Sequence, residues 1–127
     1  MPREPEYAVK VRMAADEVSA VLKSLPTPLR ERAEKVPVTY QPCPTRELVK
    51  DGIEPDTLGL FVGPEFAAEV ENVAPMAAQV FLFIDNLWDQ AEGDPEIFKE
   101  EVRTTLLHEL GHYLGLDEDD LTDRGLE

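Results

Sequence analysis

Apolar residues recur every four positions along the last third of the chain, at Phe98, Val102, Leu106, Leu110 and Leu114. A repeat this close to 3.6 residues places them on one stripe of a helix. Asp94-Pro95 offers a cap and a first helical residue, and Gly115 offers a left-handed stop. The pattern therefore predicts a helix over 95–114. A second helical spacing, Val18, Val21, Leu22 and Leu25, predicts a helix over 14–25 with Asp16 as its cap and Ser19 on its polar side. Pro26 and Pro28 interrupt it, and LRERAEKV predicts one or two further turns. Residues 1–6, charged and holding two prolines, predict a loose tail.

Between the helices the period changes to two. Val36, Val38 and Tyr40 alternate with Pro37, Thr39 and Gln41, which predicts a short strand; Pro37 restricts it to an edge or a strand start. Residues 42–57 are proline-rich and predict a loop with a helical turn near Glu47–Lys50. LGLFV at 58–62 predicts a second strand. VFLFI at 80–84 is the strongest strand signal, and its unbroken apolar run predicts burial on both faces. Residues 66–72 fit either a short helix or a lip across a cleft. Trp88 is expected in a loop ending at Gly93, and Phe81, Phe83 and Trp88 as aromatics of the core or its edge. Helices flanking three short strands make the fold class α+β, and 127 residues suit one domain, 1–127.

The formal net charge is −15, from 27 acidic and 12 basic residues. Such a surface repels a phosphate backbone, so no nucleic-acid partner is expected. No segment approaches the roughly 20 apolar residues needed to span a bilayer. The start, MPREPEYAVK, has no apolar leader core, which predicts a cytoplasmic protein. Cys43 is the only cysteine, so no intrachain disulfide forms, and a nucleophilic thiol would find no histidine left to serve as its base.

Both histidines of the chain stand in HELGH, as His108 and His112 flanking Glu109. Four residues are a little over one helical turn, so both imidazoles leave one face of the predicted helix and can share a metal ion. Glu109 lies about 100° further round, where a carboxylate can act on a coordinated water without itself holding the ion. The constellation points to one Zn²⁺ per chain, with Glu109 as the catalytic base. Zinc requires a third protein ligand, and with no histidine left it must be an acid or Cys43. A left-handed turn at Gly115 lets the chain double back, and Glu118 follows three residues later. Glu118 is the preferred ligand; Asp117 and Asp119 stay open as alternatives. Asp117 and Asp120 also resemble the start of a short helix, 118–123.

The run HELGHYLGLDE resembles H-E-x-x-H-x-x-G-x-x-[D/E], the metzincin-type zinc signature with an acid in place of the third histidine. More closely, the chain resembles the small bacterial minimal zincin family of metallopeptidases, from its first helix to Leu126. The resemblance implies a small mixed sheet of three or four strands, packed against N-terminal helices and a long active-site helix. It implies His108, His112 and Glu118 as metal ligands and Glu109 as catalytic base. It also implies an exposed strand edge, at 59–64, that pairs with an extended peptide. The methionine turn of the metzincins proper has no counterpart, since Met13 and Met76 lie upstream. The expected activity is zinc-dependent hydrolysis of peptide bonds. The alternatives are a non-catalytic metal-binding or accessory protein-interaction domain, and a zinc amidase for a small substrate. Possible oxyanion donors, Tyr40, Arg46 and Arg103, are left unassigned, and Tyr113 is expected to pack. Glu101 and Thr105 are candidates to orient an imidazole. The oligomeric state is left open.

Overall fold

The computed structural model describes residues 4–63 and 78–115. The elements in chain order are α1 (Tyr7–Ser24), α2 (Thr27–Ala33), β1 (Val38–Gln41), α3 (Arg46–Lys50), β2 (Gly59–Val62), β3 (Gln79–Phe83), α4 (Ile84–Gln90) and α5 (Pro95–Leu114). The expected α+β class and the mixed sheet are both present. The predicted segment 66–72, the predicted helix 118–123, and Asp117, Glu118 and Asp119 lie outside the described residues.

Among the described residues the sheet has the order β1-β3-β2, with β1 and β2 at its edges. β1 runs parallel to β3, with Val38 opposite Val80, and β2 runs antiparallel to it, with Phe61 opposite Val80. β1 is thus an edge strand that starts directly after Pro37, the placement which the missing proline N–H demands. Alternation along β3 turns Val80 and Leu82 toward the helices, where both are fully buried. Phe81 and Phe83 point to the opposite face, their rings parallel with centroids 6.2 Å apart.

α5 is the long central element. Its stripe of Phe98, Val102, Leu106 and Leu110 is buried, and α1 contributes Ala14, Val18 and Val21 to the same core. Burying each large apolar side chain stabilises the fold by roughly 1.5–3 kcal/mol. Both ends of α5 are as expected. The Asp94 carboxylate accepts from the N–H groups of Glu96 (2.9 Å) and Ile97 (3.2 Å), two amides that have no partner within the helix. At the other end Gly115 takes φ 72°, a conformation that strains any residue with a Cβ. Asp94→Ala should therefore lower stability by about 1 kcal/mol in chemical denaturation, with an unchanged denaturant slope. No measurable loss would show the cap to be redundant.

Two elements depart from the sequence expectation. α1 begins at Tyr7, not Ala14, and Asp16 is an exposed residue inside it rather than its cap. The reason is Lys10, which occupies an inward position one turn before Ala14 and is only 4% exposed. Its Nζ pairs with Glu4 at 3.4 Å and Asp85 at 3.7 Å and lies 5.2 Å from the centre of the Trp88 ring. The charge is stabilised by carboxylates and by the π-face together. Glu4 accordingly lies at this cluster. Nearby, burial and then the Asp85 carboxylate raise the Tyr7 hydroxyl above its ordinary 10.0. The second departure is Trp88, which lies in α4 and not in a loop. Ile84, Leu87 and Trp88 have helical spacing and are all buried, and Trp88 meets Phe98 edge-on at 5.2 Å.

α4 also fixes β2. The Asn86 side-chain amide donates to the carbonyls of Pro55 (2.8 Å) and Thr57 (2.9 Å), holding the stretch that leads into Gly59. No helix among the described residues is long and apolar enough to cross a membrane.

Candidate metal centre

His108, Glu109 and His112 leave the last two turns of α5. The helix forms there because Leu106, Leu107, Leu110 and Tyr113 are buried on its inner side. His108 and His112 are exposed on its outer side. Their ring centroids lie 4.9 Å apart with the planes nearly perpendicular. Glu109 is mostly buried, at 9% exposure, and its Oε2 lies 4.0 Å from His108 Nε2. One potential ligand atom from each of the three residues falls within 4.8 Å of the other two. Two imidazoles and a carboxylate converging at this distance form a donor set of the nitrogen and oxygen type that suits zinc.

The other oxygen of Glu109 is used differently. Oε1 accepts a hydrogen bond of 3.0 Å from the backbone N–H of Phe61 in β2. The ladder explains why that N–H is free to make it. Phe83 N–H donates to Leu58 O, and Val80 N–H donates to Pro37 O on the β1 side. Antiparallel pairs alternate, so Leu58, Leu60 and Val62 face β3, while Gly59 and Phe61 turn their backbone groups away from it. Among the described residues β2 is therefore an edge strand, within the 59–64 segment expected to be one, and it lies directly beside the helix that carries the histidines.

Close approach of β2 to α5 depends on Gly59. A Cβ at that position would collide with Thr105 Cγ2 and would lie 3.2 Å from Phe81 O and 3.4 Å from Glu109 Cγ. The Phe61 ring meets Tyr113 at 6.0 Å, so Tyr113 packs as expected. Gly59 and the Phe61 amide were not singled out by sequence reasoning. A signal did exist: a glycine within an apolar strand often marks a site where another element approaches the backbone.

The remaining candidates are dispersed. Tyr40 is on β1, two strand spacings (about 10 Å) from β2, and burial raises its hydroxyl above the usual 10.0. Arg46 and Arg103 are exposed. Thr105 is buried and in position to meet Gly59, whereas Glu101 is half-buried one turn earlier. Cys43 is exposed in the loop after β1.

Comparison with curated proteins finds no match to this chain. A model of the zincin-like metallopeptidase family matches residues 33–126, a span that includes all three strands, α5 and the HELGH motif. With that match over most of its length, the chain belongs to the zincin-like metallopeptidase family.

Proposed function

We propose that the chain is a zinc-dependent peptidase that hydrolyses peptide bonds with Glu109 as general base. The observation that carries this reading is the division of the Glu109 carboxylate, with one oxygen toward the histidine pair and the other toward the open edge of the sheet. His108 and His112 hold the ion, one per chain. Glu118 completes the ligand set, chosen over Asp117 and Asp119 by its spacing from Gly115. Zinc, when bound, supplies a Lewis acid that brings the pKa of a coordinated water toward about 7. Glu109 Oε2 takes a proton from the attacking water and returns it to the departing amine. The peptide lies extended along β2, where Gly59 and Phe61 turn their backbone groups outward. Oε2 is on the side of the histidines and Oε1 on that of this edge, so proton transfer and substrate docking share one side of α5.

Zinc loading tests the centre. After loading and desalting, elemental analysis should find about one zinc per chain in the wild type. His108→Ala should retain at least tenfold less, because two-point attachment is lost. Equal zinc in both would remove the histidine pair as the site. The loaded wild type is then incubated with a mixed peptide library and read by mass spectrometry. Internal cleavage that His108→Ala lacks supports the peptidase reading. Bound zinc without any cleavage would leave a metal-binding domain, and cleavage confined to small amides would leave an amidase.

A further inference from the structure

The mostly buried Glu109 makes a contact that general-base chemistry does not require. Its Oε1 accepts the Phe61 N–H at 3.0 Å, and its Oε2 lies 4.0 Å from His108 Nε2. A carboxylate on a flexible side chain can rotate, exchange its oxygens or swing into solvent. A backbone donor on a sheet strand removes that freedom, because its position is set by the strand and not by a rotamer. The donor is also unusual in being available at all. It belongs to an edge strand and faces away from β3, and only a very close strand can bring it to the helix. That closeness rests on Gly59, whose missing side chain leaves room for Thr105 Cγ2 and Glu109 Cγ. Asn86 holds the entrance to the strand from the other side.

We infer that the Phe61 amide is a positioning group for Glu109, and that Gly59 is the residue that permits it. The amide holds Oε1 against the sheet edge and so presents Oε2 to the histidine pair. One consequence concerns the edge itself. The N–H of Phe61 is already engaged, so a docked peptide meets at that position an acceptor, the Phe61 carbonyl, without the accompanying donor. The inference rests on the reading of Glu109 as general base, but the hydrogen bond is measurable without any hydrolysis.

The test follows amide hydrogen exchange of Phe61 by NMR in the full chain, with and without zinc. In the wild type the amide should be protected about tenfold or more, as befits a hydrogen bond to a charged acceptor. Glu109→Ala should abolish that protection, while Glu109→Gln, whose side-chain carbonyl still accepts, should keep most of it. Gly59→Ala should lose it, and Gly59→Ala/Thr105→Ala should regain most of it because the clashing methyl is gone. The β3 amides report whether each variant is folded; if Gly59→Ala loses these as well, the two Glu109 variants decide. Phe61 exchange that is equally fast in the wild type and Glu109→Ala overturns the inference. A second arm uses Phe61→Pro, which removes the N–H at an edge position where the ladder loses nothing, against Phe61→Ala, which removes only the ring. The expected result is a kcat about tenfold lower in the proline variant, with zinc content equal in the two. Equal kcat in both also overturns it. If the wild type hydrolyses nothing, the peptidase reading fails and the exchange arm still decides the positioning of Glu109.

Discussion

Glu109→Gln should lower hydrolysis by roughly 10²–10⁴-fold while leaving zinc content nearly unchanged. The two halves of that expectation come from different atoms. Zinc retention depends on His108 and His112, whose imidazoles leave the exposed side of α5 and do not need the glutamate charge. Proton transfer depends on the carboxylate, and glutamine keeps its volume and its acceptor without its basicity. The substitution is also structurally mild. The side chain is buried against Gly59 and bonded to Phe61 N–H, and an amide oxygen fits both surroundings. The measurement is a rate on the best substrate from the peptide library, at equal zinc content. Undiminished cleavage in the variant would exclude Glu109 as the base. A parallel loss of zinc and rate would make it a ligand instead.

The largest effect on stability is expected at Phe98. Phe98→Ala should cost about 3–5 kcal/mol, from lost transfer energy plus the cavity left behind. Phe98 is fully buried on α5, and its ring meets Trp88 of α4 edge-on. Trp88 in turn carries Lys10 on its face, so the cavity would open beneath a buried charge. A domain of this size has roughly 5–15 kcal/mol in total, so the variant should melt about 10–20 °C lower. Phe98→Leu, which leaves a smaller void, should fall between the two. A shift below a few degrees would mean that the site collapses around the deletion. The histidine pair lies ten and fourteen residues further along the helix, so zinc content of the folded fraction should not change.

The elements most legible in the sequence were those with chemical punctuation at both ends. α5 was bounded by Asp94-Pro95 and Gly115, and between them its four-residue stripe allowed no other period. Pro37 restricted β1 to an edge or a strand start, and the strand does begin directly after it. The early start of α1 was hidden because its inward residue there is a lysine, and an apolar pattern cannot register a charge buried by partners distant in sequence. α4 was missed for another reason. Its Ile84, Leu87 and Trp88 do have helical spacing, but the strong apolar run of β3 ends directly against them and masks the change of period. At the site, the histidines and Glu109 were legible because a single helix carries all three. The pairing of Glu109 with Phe61 spans 48 residues, and only the register of β2 decides which N–H faces outward.

The strand order has a consequence for how the chain is made. β3 lies between β1 and β2 in space but follows both in sequence, and Val38 and Val80, which face each other, are about 40 residues apart. During synthesis the first two strands emerge with no sheet partner, and both wait for the third. At about 5–20 residues per second the delay between β1 and β3 is some seconds, long against the microseconds in which α1 can coil. Of the helices only α1, α2 and α3 precede β3 and can form early, whereas the sheet waits for β3, and the Phe61 amide meets Glu109 only after α5, made later still, has emerged. The reactive constellation is therefore assembled only once β3 and then α5 have followed the two earlier strands, and a nascent chain halted between them carries an edge strand with no histidine pair beside it.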